Sequence, residues 1–231
     1  MVSVEDNLQP ASTVKLRVAG ILFDMDGVLI SSLGSVERSW TRWGEMRGVD
    51  GGLAIKTAHG MRAIDTIRKL RPDLSDVDEL RVIEDLEIED TEGLELLKGV
   101  LPILDALPEK YWTIVTSATE RLARARLQVA NLPVPARFIT ADMVTHGKPH
   151  PEPYLRGAEL LGVRPEDCLV IEDASSGAKA GRAAGCKVLA TLFSHSIESL
   201  SAADWIVDSL EHMKVQAVDN LVEVEFTPVA R

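Results

Sequence analysis

Short apolar runs rich in β-branched residues alternate with helical patterns along most of this chain, and that alternation restricts the fold more than any other feature. Val18–Phe23 reads VAGILF, Trp112–Thr116 reads WTIVT and Cys168–Ile171 reads CLVI. Arg137–Thr140 is a shorter run, Lys187–Leu192 is a fifth, and Trp205–Val207 is placed as a sixth, at the edge. Near-continuous runs of this kind describe strands covered on both faces, as in a parallel sheet. Between them, Glu120–Val129 collects helix formers behind Thr119 as an N-cap. Pro151–Leu161 opens with proline in its first turn, and Ser176–Ala184 stops at Gly185. Alternating strands and helices predict a doubly wound α/β core around a parallel sheet.

One stretch breaks the rhythm. From about Leu33 to Lys98 there is no convincing strand, only helical patterns at Ser35–Arg47, Met61–Leu70 and Asp76–Glu89, with a run into Lys98. That is too long for one crossover, so residues 33–97 are expected to form an inserted helical subdomain. The core is then residues 1–32 and 98–231, with residues 1–15 polar and frayed. Trp40 and Trp43, three apart on one helix face, are expected to pack in the insert's own core. The acidic stretch Glu84, Asp85, Glu87, Glu89, Asp90, Glu92 and Glu95 reads as a solvated helix face.

Composition narrows the partners. The 231-residue chain is 45% hydrophobic, enough for a substantial core. Its net charge of −11 argues against nucleic acid and anionic membranes as partners. No apolar run reaches the roughly 18 residues of a membrane span, and no charged segment leads into an apolar one at the start. Cys168 and Cys186 lie in apolar stretches without metal-type spacing, which predicts buried free thiols. A cytoplasmic monomer is the expectation.

The chemistry-bearing residues fall at strand ends. Asp24-Met25-Asp26-Gly27 follows the first run, and strand periodicity puts Asp24 and Asp26 on one side. Two carboxylates so close repel unless a cation joins them or one holds a proton. Ligands of open α/β sheets bind at the carboxyl ends of strands. The second run ends in Thr116-Ser117, suited to phosphate oxygens. Gly147-Lys148-Pro149 follows the third, and Glu172-Asp173 closes the fourth. Each alone has an ordinary explanation as a cap or a solvated charge. Four successive strand ends offering acid, hydroxyl, cation and acid are hard to assemble by chance.

These residues resemble the haloacid-dehalogenase superfamily over essentially the whole core. Asp24 and Asp26 match its first motif, Thr116 the second, Lys148 the third and Glu172-Asp173 the fourth, and the insert matches its helical cap. The resemblance implies a sheet with the first strand central. It also implies Mg²⁺ held by Asp24, the Asp26 carbonyl and Asp173, with Glu172 behind them. Asp24 would then be the nucleophile and Asp26 the general acid and base. Lys148 would balance charge, and Thr116 and Ser117 would hold phosphate oxygens. Phe138–Ala141 with Gly147–Leu155, and Ile171–Gly177 with Ala183–Cys186, together with Ala58-His59-Gly60-Met61-Arg62 and Asp65, are similar to glycerol-3-phosphate and 2-deoxyglucose-6-phosphate phosphatases. That implies a small phosphate monoester, a sugar or polyol phosphate, as substrate, with His59, Gly60 and Arg62 as the insert's residues facing it. Ser31-Ser32, where many relatives have Asp-Ser, fits the sugar and polyol group. A phosphosugar mutase using the same two aspartates, or a non-catalytic binding module, remains open at this point.

Overall fold

The computed structural model describes residues 12–230. Its elements run β1 (Val14–Val18), β2 (Gly20–Phe23), β3 (Ile30–Ser31), α1 (Leu33–Arg47), α2 (Gly51–Ala58), α3 (Ala63–Leu70) and α4 (Asp76–Glu89). Next come β4 (Glu95–Leu96), α5 (Val100–Asp105), β5 (Trp112–Ile114), α6 (Glu120–Val129), α7 (Glu152–Leu161) and β6 (Cys168–Glu172). The chain finishes with α8 (Ser175–Ala183), β7 (Lys187–Thr191), β8 (Trp205–Val207), β9 (Lys214–Val218) and β10 (Leu221–Phe226).

The main sheet is parallel, in the order β5-β2-β6-β7-β8. Every residue of β2 and β6 is buried, as expected for strands with helices on both faces. Ile21, Phe23, Leu169 and Ile171 pack into one apolar cluster, and Leu22, Cys168 and Val170 into another. Cys168 and Cys186 are buried free thiols, each pushed up to about 12 by that burial. No helix among the described residues is long and apolar enough to cross a membrane.

Three local expectations change. The VAGILF run is two strands, because Ala19 leaves the ladder and its amide donates to Asp167 O at 2.7 Å. Val14–Val18 turns instead into a three-stranded antiparallel sheet, β1-β10-β9, closed by Asp219 and Asn220 at φ 48° and 63°. Residues 1–11 of the stretch read as frayed lie outside the described residues, but Val14 and Lys15 are paired in β1. Arg137–Thr140 forms no strand, only a bridge from Ile139 to Val115, since Pro133 and Pro135 remove amides just before it.

Helices α1 to α4 gather around their own apolar cluster of Trp40, Trp43, Ala54, Ala58, Ile67, Ile83 and Leu86. Trp40 and Trp43 meet edge-on, with ring centroids 5.3 Å apart. Helix α2 falls outside the helical patterns visible in the sequence. The chain passes into this unit and back along adjacent strands, since β3 and β4 pair antiparallel. Gly99 follows, at φ 84°, where an added Cβ would lie 2.4 Å from the Leu210 backbone. The left-handed backbone and the clash act together, so Gly99→Ala is expected to cost about 2–3 kcal/mol in a urea-unfolding measurement.

Candidate active site

The carboxyl ends of β2, β5 and β6 bring the sequence-identified acids and lysine together. Lys148 is buried, and its Nζ donates to Asp24 Oδ1 at 2.6 Å, Glu172 Oε1 at 2.7 Å and Val115 O at 3.0 Å. Burial opposes its charge, but Asp24 and Glu172 outweigh burial and hold the ammonium above the usual lysine range. Glu172 is saturated. Tyr154 Oη donates to its Oε1 at 2.6 Å, and the amides of Asp173 and Ala174 donate to its Oε2. Burial, with the negative charge of Glu172 next, pushes the Tyr154 hydroxyl well above its ordinary pKa, so it stays a donor.

Asp24, Glu172 and Asp173 bring carboxylate oxygens within 4.8 Å of one another. Burial lifts Asp24 well above the ordinary carboxylate range; Glu172 and Asp173 add to that and Lys148 opposes it. Asp173 is raised by burial and then by Glu172, against a hydrogen bond from Ser194. One lysine cannot neutralise three clustered carboxylates, and protons or a cation must make up the difference. The donors are all oxygen, which suits a hard divalent cation such as Mg²⁺. With Glu172 taken up by four donors, Asp24 and Asp173 are the carboxylates left to ligate.

A cavity of about 120 Å³ opens over these groups. Its lining includes Asp24, Asp26, Ser117, Lys148, Glu172 and Asp173 from the core and His59, Gly60, Glu84 and Glu87 from the helical unit. Thr116 is buried at the head of the β5–α6 loop, and its Oγ1 accepts from the Ala118 amide at 3.0 Å. Gly60, at φ 68°, brings the helical unit against the core, where Ser176 Oγ donates to its carbonyl at 2.9 Å. His59 ends α2, and its Nε2 is buried without a hydrogen-bond partner.

Arg62 departs from expectation. Its Nε and Nη2 donate to Asp65 at 2.7 and 3.0 Å, and its Nη1 donates to Val144 O at 2.9 Å. It lies against Gly147, outside the cavity lining, with every nitrogen committed. The guanidinium ties the α2–α3 loop to the core loop that carries Lys148. It is not placed as a substrate ligand.

The acidic stretch also departs. Glu84 and Glu87 are 7% and 5% exposed and face the core, not solvent. Thr119 donates its hydroxyl to Glu84, and Arg121 donates to Asp85 at 2.5 Å. Arg126, which sequence reasoning missed, donates to Asp26 Oδ1 at 2.8 Å and Glu87 Oε2 at 3.1 Å. Burial lifts Glu87 to about 7 although Arg126 opposes it. Spacing held a partial signal: Glu84 and Glu87 lie three apart and share a face with Leu80 and Ile83.

Paired acids, a buried lysine and hydroxyl groups thus meet in one cavity at the carboxyl edge of a parallel sheet. A family model described as haloacid dehalogenase-like hydrolase matches residues 18–185, and the chain belongs to that family. It is 39% identical over 210 residues to hexitol phosphatase A of Escherichia coli (strain K12), covering 89% of this chain and 97% of that one. Against glycerol-1-phosphate phosphohydrolase 1 of Saccharomyces cerevisiae it is 34% identical over 217 residues, covering 87% and 86%. A solved structure of a hydrolase from Pseudomonas syringae superposes with a TM-score of 0.75 at 23% identity, covering 83% of this chain and 94% of that one, and shares the fold.

Proposed function

We propose that this protein is a Mg²⁺-dependent phosphatase acting on a small sugar or polyol phosphate through an aspartyl-phosphate at Asp24. The observation that carries the reading is the buried Lys148 ammonium joining Asp24 and Glu172 beneath a cavity of metabolite size. The similarity to a hexitol phosphatase and a glycerol-1-phosphate phosphohydrolase supports the substrate class.

Asp24, the backbone carbonyl of Asp26 and Asp173 would hold Mg²⁺, which when bound offsets the negative charge of phosphate and carboxylate. The Asp24 carboxylate attacks phosphorus, forming the new P–O bond as the bond to the leaving alkoxide breaks. Asp26 gives that alkoxide its proton. It then takes a proton from the water that attacks phosphorus, which frees Asp24 and inorganic phosphate. Lys148 keeps Asp24 aligned and meets the charge that builds on the phosphoryl oxygens. Ser117, with Thr116 behind it, offers donors to those oxygens. Glu172 and Tyr154 hold Lys148 in place. The helical unit of residues 33–97 acts as a cap, and its closure excludes bulk water.

Leaving-group choice belongs to the cap. His59→Ala is expected to lower kcat/KM for a polyol phosphate by about 1–3 kcal/mol, the usual cost of an unpaired buried partner. p-Nitrophenyl phosphate, without hydroxyls, should change much less. Arg62→Ala is expected to lower both substrates alike and to lower stability, because that side chain braces a loop. A selective loss in Arg62→Ala would return it to the substrate contacts.

A further inference from the structure

Two ion pairs of Arg126 connect a core loop to the cap. The residue is 3% exposed, sits on core helix α6, and reaches Asp26 with Nη1 and Glu87 of α4 with Nη2. A guanidinium is planar and rigid, so the position of one Nη group fixes the other. Trp40 of α1 lies beside Glu87 and favours its charged form. The Asp26 carboxyl is a quarter exposed in the cavity and would otherwise be free to turn.

We propose that Arg126 is a positioning residue for the Asp26 carboxyl and that Glu87 completes it, so Asp26 is aimed for proton transfer only while the cap is docked. This rests on the phosphatase reading above. The seam is largely polar. Across it α4 meets α6 and its N-cap residue through Glu84 with Thr119, Glu84 and Asp85 with Arg121, and Glu87 with Arg126, with Ile88 of α4 packing against the apolar cluster of the core. Interfaces of that kind between units of one chain permit relative motion. When α4 withdraws, Arg126 loses one of two carboxylates that hold its buried charge, and its grip on Asp26 changes with it.

The alternative is that Arg126 only staples α4 to α6. Leaving groups distinguish the two. Departure of an alkoxide needs the proton from Asp26, and departure of p-nitrophenolate does not. kcat/KM reports steps through phosphoryl transfer to Asp24, so it isolates this step. Measured with Mg²⁺, Arg126→Met and Glu87→Gln are expected to lower kcat/KM for glycerol phosphate and n-propyl phosphate about 10–100-fold, part of the usual worth of a general acid. The loss on p-nitrophenyl phosphate should be at least tenfold smaller. Including n-propyl phosphate separates proton delivery from recognition of hydroxyls. Equal losses on all three substrates, or no loss on any, would overturn the proposal. Should Arg126→Met fail to fold, Glu87→Gln, which keeps the side-chain shape, decides alone. A wild-type protein that hydrolyses none of the three, and no hexose or hexitol phosphate either, would overturn the phosphatase reading and this proposal together.

Discussion

Asp24→Asn is expected to abolish turnover, by about 10⁴-fold or more in kcat, while the protein stays folded. A carboxamide is a poor nucleophile, and loss of a nucleophile typically costs a hydrolase that much. The structure adds a second expectation. Asp24 is buried among Glu172, Asp173 and Asp26, and burial with those neighbours favours its neutral form. Asparagine has the same shape and no charge, and Lys148 keeps Glu172 at 2.7 Å. The metal-free variant should therefore melt at the same temperature as the wild type or higher. Calorimetry beside a phosphate-release assay reads both. Substantial residual turnover in the variant would sink the covalent mechanism.

Removing the metal should come close to that effect. Excess EDTA is expected to lower phosphate release at least about 10³-fold, with full recovery on adding Mg²⁺. Ca²⁺ should inhibit, because its longer bonds and variable coordination disturb an in-line displacement. The pH dependence of binding follows from the raised carboxyls. Asp24 and Asp173 sit above the ordinary carboxylate range in the metal-free protein, and ligation requires them ionised. Mg²⁺ binding should release protons and tighten as pH rises, which isothermal titration in buffers of different ionisation enthalpy detects. Full activity in EDTA would remove Asp24, Asp26 and Asp173 from the metal site.

The core was legible because its physics is local. Strands buried on both faces appear as unbroken apolar runs, and β2 and β6 do so. Acids at strand ends are read by position alone, which places Asp24, Asp26, Glu172 and Asp173; Lys148 follows a run that forms no strand and is placed by its Gly-Lys-Pro motif. The terminal sheet has a sequence signal of its own: Lys214–Phe226 alternates around Asp219-Asn220, the pattern of a hairpin with a tight turn. Helix α2 begins on Gly51-Gly52, both poor helix formers, and is stabilised by its Asp50 cap and by packing against α1.

Long-range partners were not legible. Arg126 follows Arg121 and Arg124 on an amphipathic helix and looks like a third solvated charge. Only the fold brings it to Asp26, one hundred residues earlier, and to Glu87. Arg62 shows the converse. Its motif placed it beside His59 and Gly60, but a side chain of that length can turn away, and Asp65 with the Val144 carbonyl draws it off the cavity. Residues on strand ends transfer from sequence to site more reliably than long side chains on the helical unit.

The central claim is that water, not a sugar hydroxyl, receives the phosphoryl group from Asp24. The direct test incubates the purified protein with Mg²⁺ and single sugar or polyol monophosphates, no bisphosphate being present, and follows products by ³¹P NMR. Hydrolysis predicts inorganic phosphate and the free polyol in equal amounts, over many turnovers and without an activator. A phosphate that moves to another carbon of the same sugar, or turnover that begins only when a bisphosphate is added, would contradict it and make the protein a mutase.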